Sequence, residues 1–423
     1  VESYRHRTID ELLDEIQPEI PALALQGPKG VGKTATARQR AETVFTLDDP
    51  ADAELVRAEP QVITAASAPV FVDEWQRQPA LWDLIRRDVD ARSMPGRYLL
   101  AGSAVPIGAP VHSGAGRIVT LRMRPLSLAE RMLGPTTVRL RDLLTGHADP
   151  AGSTSLGLTD YVEEIVASGF PGIRTSSPRV RGMRLDAYLD AVVEREFAEQ
   201  GLNVRRPQTL RAWLRAFAAA TSGTTSYNAI LDAATPGQSD KPARSTTTAY
   251  REVLESLWLI DSLDAWAPGT NDLDRLSRSP KHQLADPALA ARLLGVDADA
   301  LLAGTTGPAP ELRRGTLLGA LFEHLIAMSV QVYAQISGAT VQHLRTRNGD
   351  HEVDLIVRRP DGRVVAIEVK LASTVTDQDV RHLRWLRDKI GPDLLDAVVV
   401  TTGRDAYRRA DGIAVVPAAL LGA

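Results

Sequence analysis

The sequence predicts an α/β protein of several domains, and three observations carry that expectation. Short apolar runs alternate with helical stretches over the first 134 or so residues, a glycine-rich turn joins the first run to the first helix, and a second series of apolar runs closes the chain after a long helical middle. At 423 residues the chain exceeds one ordinary core, so two or three domains are expected.

In the first stretch the runs are Ala22 to Leu25, Val44 to Leu47, Val70 to Val72, Tyr98 to Ala101 and Ile118 to Leu121. Such alternation predicts a parallel sheet covered by helices on both faces, with ligands at the carboxyl ends of its strands. The first run is followed by Gly27-Pro28-Lys29-Gly30-Val31-Gly32-Lys33-Thr34, and a helix-favouring segment runs from Ala35 to Thr43. Gly, four residues, then Gly-Lys-Thr lets backbone amides wrap a phosphate chain, sets the Lys33 ammonium on its outer phosphates and offers the Thr34 hydroxyl to magnesium. This is a P-loop, and a nucleotide is the expected ligand.

The third run ends in Asp73-Glu74, where a P-loop protein holds magnesium on the aspartate and polarises the attacking water with the glutamate. Two solvated acids capping a strand are the alternative, and the intact P-loop about 40 residues upstream favours the functional reading. The fourth run ends in Gly102-Ser103, which places Ser103 near the terminal phosphate as a sensor. Arg117 follows a loose loop rich in glycine and proline and is the candidate arginine finger, preferred over Arg122 and Arg124.

Together with these residues, Phe71-Val72-Asp73-Glu74-Trp75-Gln76, Leu100-Ala101-Gly102-Ser103, Gly116-Arg117 and Arg124-Pro125-Leu126-Ser127-Leu128-Ala129-Glu130 give a resemblance. The chain resembles the prokaryotic AAA-type ATPases that carry a DUF4143 domain at their C-terminus. The resemblance implies ATP as the nucleotide and Mg as its companion ion.

Residues 135 to 200 are expected to form a linker followed by a helical lid, with a Gly169-Phe170-Pro171-Gly172 turn that also resembles the family's helical segment. Residues 201 to 310 predict helices over Leu210 to Ala220, Tyr227 to Ala234 and Ser245 to Trp258, then a strand at Leu259 to Leu263. Three helices and a short hairpin are the parts of a winged helix. Seven basic residues (Arg205, Arg206, Arg211, Arg215, Lys241, Arg244, Arg251) face two acidic ones (Asp232, Asp240) between Asn203 and Arg251, so DNA is a possible partner. Packing against the nucleotide domain is the alternative.

Residues 311 to 423 predict a helix over Gly315 to Val332, then strands Gln342 to Arg345, Glu352 to Val357 and Val364 to Lys370. Period-two geometry puts Glu368 and Lys370 on one face, and the Pro360-Asp361-Gly362-Arg363 turn brings Asp354 alongside. Two carboxylates and a lysine suit a divalent metal and a phosphodiester. The arrangement resembles the PD-(D/E)xK nuclease core, which implies Glu323 on the preceding helix as a further acid and a second Mg or Mn held with Asp354 and Glu368. Lys370 would be the catalytic lysine. A solvated hairpin edge, or a silent domain that binds a protein or nucleic-acid partner, stays open beside it.

Composition sets outer limits. The net charge is -4, which argues against a wholly basic surface. Cysteine is absent, which excludes thiolate metal sites, cysteine nucleophiles and disulfides. Lysine is scarce, six against 43 arginines, so Lys33 and Lys370 stand out as positions where a compact point charge is wanted. No uninterrupted apolar run approaches a membrane span and no signal-peptide core is present, so a soluble, cytoplasmic protein with no membrane partner is expected.

Overall fold

The computed structural model describes residues 4–104, 116–146, 148–204, 206–236, 241–268, 279–303, 314–346 and 349–423. These fall into two compact units.

The first unit comprises Val1–Arg124, Arg195–Asn203 and Ala249–Leu259. Its five strands are β1 (Ala22–Gln26), β2 (Thr43–Thr46), β3 (Val70–Asp73), β4 (Tyr98–Gly102) and β5 (Ile118–Arg122), each within two residues of its expected run. All pair in parallel, in the order β2-β3-β4-β1-β5. Alternate residues serve opposite faces: Val70, Val72, Tyr98 and Leu100 pack with Val56, Trp75 and Ile85, while Leu23, Leu25, Phe71 and Leu99 pack with Ile9 and Leu13. The central strands β1, β3 and β4 are buried along their whole length, and a sheet covered on both faces calls for mostly apolar residues there, which is why those runs are continuous. The helix after the P-loop, Lys33–Arg38, is shorter than the expected Ala35 to Thr43, because β2 already begins at Thr43.

The second unit comprises Pro125–Glu194, Val204–Thr248 and Ile260–Ala423. The boundary at Arg124 lies ten residues before the expected 134. The reason is local: the Ser127 to Arg131 segment is fixed within this unit, with Leu128 N donating to Ser329 Oγ at 3.1 Å and buried Arg131 donating to the Glu164 carboxylate at 2.9 Å. The linker expected from 135 is also packed structure. Within it, β6 (Val138–Arg139) leads into a short helix whose Leu140 and Leu143 are fully buried.

Helices Pro207–Ala219, Tyr227–Ala234 and Arg244–Ser256 stand where three were expected. The strand expected at Leu259 to Leu263 does not form as one; isolated bridges join Ile260 to Leu284 and Leu263 to Lys281. The chain then continues into β7 (Ala265–Trp266). That strand opens a seven-stranded sheet with β8 (Thr340–Arg345), β9 (Glu352–Arg358), β10 (Val364–Lys370), β11 (Leu394–Thr401), β12 (Tyr407–Arg408) and β13 (Ala414–Pro417). β8, β9 and β10 form an antiparallel meander, and β10, β11 and β13 run parallel. β14 (Leu421–Gly422) pairs with β6.

Helix Arg314–Ile336 packs against this sheet and carries Glu323. Its Leu317–Ile336 stretch is long and apolar enough to cross a membrane by length and composition, contrary to the expectation from uninterrupted runs. The burial explains the composition: Leu321, Phe322, Leu325, Ile326 and Val330 are inside the unit, where a helix covered all round is apolar all round.

Candidate nucleotide site and a second acidic cluster

The P-loop is shaped by one close approach and one left-handed turn. A Cβ on Gly27 would sit 2.1 Å from the Met123 carbonyl oxygen, so only glycine lets β1 leave the sheet there. Gly32, at φ 102°, supplies the left-handed turn that starts helix Lys33–Arg38. Arg7, which sequence reasoning passed over, holds the loop from outside: its guanidinium donates to Val31 O at 2.8 Å and Arg124 O at 2.9 Å. Asp10 fixes Arg7 in turn, accepting from its backbone N–H at 2.6 Å.

Lys33 is 5% exposed, and its ammonium donates to the carbonyls of Gly27 at 2.7 Å and Pro28 at 2.9 Å. Burial pulls its pKa down to about 8, against Glu74 and Asp73, which push it up. Phosphate binding selects the charged ammonium. Above that pKa the incoming nucleotide must bring a proton with it, so affinity falls as pH rises. We expect ADP affinity to drop by up to about tenfold per pH unit above about pH 8, measured by calorimetric titration. A flat profile between about pH 7 and 9 contradicts this ionisation.

At the end of β3, Asp73 accepts a hydrogen bond from the Thr34 hydroxyl, and burial raises its pKa. A hydroxyl and a carboxylate oxygen meeting beside the P-loop are a donor set that fits magnesium. The next residue, Glu74, adopts φ 54°. That left-handed turn directs its carboxylate to Ser103 at the end of β4, whose Oγ donates to Glu74 Oε2 at 3.0 Å. β4 lies between β1 and β3, so Ser103 falls between the P-loop and the acidic pair.

Gln76 completes the group, its amide donating to Ser103 Oγ at 3.1 Å and to Glu74 Oε2. The sequence reading quoted Gln76 without a role for it. A glutamine two residues after the acid, in the turn Trp75–Arg77, was the available signal.

Arg117 is not brought to this site. It precedes β5, and Ile118 pairs with Ala22 at the start of β1, so Arg117 lies at the amino edge of a parallel sheet whose carboxyl edge carries the P-loop. β5 spans five residues, roughly 16 Å. Arg117 instead pairs with Asp90 at 2.7 Å. At the other end β5 closes with Arg122, in register with Gln26 and lying over the Trp258 ring at 4.9 Å. The glycine- and proline-rich loop at 105–115 lies outside the described residues.

In the second unit Glu323, Asp354, Glu368 and Lys370 do converge. Asp354 Oδ2 accepts from Val369 N at 2.9 Å, tying β9 to β10, and Lys370 Nζ donates to Glu368 Oε1 at 2.6 Å. A residue that sequence reasoning missed lies among them. Buried Lys281 donates to Glu323 Oε1 at 2.7 Å and Asp354 Oδ1 at 3.1 Å, and pairs with Glu352 at 3.1 Å. Its scarcity as one of six lysines was the signal in the sequence.

Burial pushes Asp354 up, but the Lys281 and Lys370 ammoniums outweigh it and hold the carboxyl below its usual range. Burial, reinforced by Asp354, raises Glu323 and Glu368 to about 8 each. Among the described residues no group of three acidic or histidine side chains is arranged to hold a metal. The donors expected for a second Mg or Mn are already taken up by ammoniums: Lys281 bonds to Glu323 and Asp354, and Lys370 to Glu368. His324 and His343 are buried, and burial pushes both down to about 4.

Three family models match separate stretches: an AAA domain over residues 19–132, a domain of unknown function (DUF8612) over 158–300 and a domain of unknown function (DUF4143) over 318–421. Similar proteins include an uncharacterized protein of Mycobacterium tuberculosis and one of Mycobacterium bovis. Each is 26% identical over 404 residues, covering 94% of this chain and 80% of the relative. Among solved structures, the Walker-type ATPase of Pyrococcus abyssi aligns with a TM-score of 0.40 at 16% identity, covering 67% of this chain and 94% of that one. The ORC2 protein of Aeropyrum pernix aligns at 0.27 and 16%, covering 69% and 90%. An AAA domain and a DUF4143 domain thus lie on one chain.

Proposed function

We propose that this AAA-type P-loop ATPase with a C-terminal DUF4143 domain hydrolyses ATP with Mg, and that hydrolysis switches a module whose output is binding rather than cutting. The observation that carries the first part is the Glu74 carboxylate held by Ser103 beside a P-loop lysine and a Thr34–Asp73 pair.

In this reading the amides of Gly30, Gly32 and Lys33 hold the phosphates, with Pro28, Lys29 and Val31 completing the loop. Lys33 exchanges its bonds to the Gly27 and Pro28 carbonyls for bonds to the outer phosphate oxygens. Thr34 and Asp73 would hold magnesium, which neutralises charge on the β- and γ-phosphate oxygens when bound. Glu74 accepts a proton from the attacking water, and Ser103 holds Glu74 while facing the terminal phosphate.

The alternative output, cleavage of nucleic acid at Asp354, Glu368 and Lys370, needs a metal whose donors are already taken up by ammoniums. Action on DNA through the middle helices has limited support as well. Arg211 is paired with Asp190 and Glu194, Lys241 with Asp232 and Arg251 with Glu255, which leaves less positive charge for phosphates. Arg205 and Asp240 lie outside the described residues.

The test is ATP turnover and nucleotide binding by the full chain and by Lys33→Ala. We expect Lys33→Ala to lower ATP affinity or turnover by about 10²-fold or more, since a charge-assisted phosphate contact disappears from a buried site. Nucleotide binding and turnover unchanged by the substitution would overturn the assignment.

A further inference from the structure

Lys281 stands where a nuclease-like core would hold a divalent ion. Its Nζ lies 2.7 Å from Glu323 Oε1, 3.1 Å from Asp354 Oδ1 and 3.1 Å from Glu352 Oε1, and its side chain is 1% exposed. An ammonium has three N–H donors, and three carboxylates surround this one. The backbone fixes it there, through reciprocal bonds of 2.9 Å between Lys281 and Leu263.

We infer that Lys281 is the resident cation of this cluster, that it keeps the last domain free of a divalent metal, and that removing it would create a metal site. A divalent ion needs carboxylate oxygens at about 2.0 to 2.6 Å. It would have to share the Asp354 and Glu323 oxygens with an ammonium a few ångströms away, in a place where little water screens the repulsion.

Glu368, the remaining acid, has Oε1 on Lys370, while its buried Oε2 has no hydrogen-bond partner. That buried oxygen is the donor a metal would add once the ammonium is gone. Lysine suits the position better than the chain's usual arginine because a compact charge fits between three converging carboxylates, whereas a planar guanidinium does not. The inference stands on the second unit alone and does not depend on ATP hydrolysis.

The experiment is Mn(II) binding to the full chain without nucleotide, followed by the electron paramagnetic resonance signal of free Mn(II), together with thermal midpoints with Mn(II) and with chelator. For wild type we expect no uptake that Asp354→Asn or Glu368→Gln removes, and no midpoint shift. Lys281→Met should gain a site at least about tenfold tighter than any wild-type binding, with a midpoint that rises in Mn(II). Adding Asp354→Asn to Lys281→Met should abolish both gains.

Wild-type uptake that is lost in Asp354→Asn overturns the inference, as does a folded Lys281→Met that binds no Mn(II). If Lys281→Met does not fold, the comparison of wild type with Asp354→Asn and Glu368→Gln still decides whether the natural domain holds the metal.

Discussion

Glu74→Gln should leave ATP binding within about threefold of wild type and cut turnover by about 10²- to 10⁴-fold, the range a positioned general base supplies. The substitution keeps the side chain's length, its left-handed backbone at φ 54° and an oxygen that still accepts from Ser103 and Gln76. It removes only the ability to take a proton. The left-handed turn supports the assignment, because a non-glycine residue held there costs about 1 to 2 kcal/mol and is retained where the structure over-determines it. Here the surroundings do so: Ser103 and Gln76 hold the carboxylate, and a Cβ on Gly102 would lie 2.7 Å from the Trp75 ring nitrogen, so β4 and the turn interlock. Single-turnover ATP hydrolysis measured beside equilibrium nucleotide binding separates the two effects. Equal loss in binding and turnover would show that Glu74 shapes the pocket instead of activating water.

The first unit was largely legible because its signals are local. Five apolar runs became five strands, since a sheet buried on both faces writes itself as continuous Val, Leu, Ile and Phe. The position of Asp73 and Glu74 was legible because the apolar run before them ends where β3 ends. Arg117 was misplaced by an argument from flexibility, where strand polarity would have served better. In a parallel sheet the residue before a strand lies at the amino edge, and Arg122, at the other end of β5, was the one to weigh.

The second acidic cluster was half legible. Asp354, Glu368 and Lys370 share a hairpin and an alternating pattern, so their convergence follows from local geometry. Lys281 does not share it: 42 residues separate it from Glu323 and 73 from Asp354, a contact that no periodicity encodes. This one residue places an ammonium among the acids where the hairpin pattern alone suggests a metal cage. The linker reading of residues 135 to 157 failed for a similar reason, since β6 finds its partner in β14 at the far end of the chain.

A contact of the same long-range kind sets the second large effect. Asp286→Ala should destabilise the second unit by about 3 kcal/mol. Asp286 is fully buried, and its carboxylate accepts from Ser168 Oγ at 3.1 Å and Gly169 N at 2.6 Å, while Oδ1 caps helix Pro287–Leu294 through Ala288 N at 2.8 Å. Losing the cap costs about 1 kcal/mol, and leaving the Gly169 N–H buried without an acceptor costs about 1 to 3 more. The damage should spread along a hydrogen-bonded path, because Gly169 O accepts from Leu126 N at 2.7 Å. No side chain can fill in at Gly169, where a Cβ would meet Leu126 O at 2.8 Å. Asp286→Asn keeps an oxygen for one donor at a time and should cost about 1 kcal/mol. Urea unfolding with two probes checks this, since two compact units need not unfold together. A midpoint for the second unit that is unchanged in Asp286→Ala would mean that helix Pro287–Leu294 and the Gly169 turn are held by packing alone.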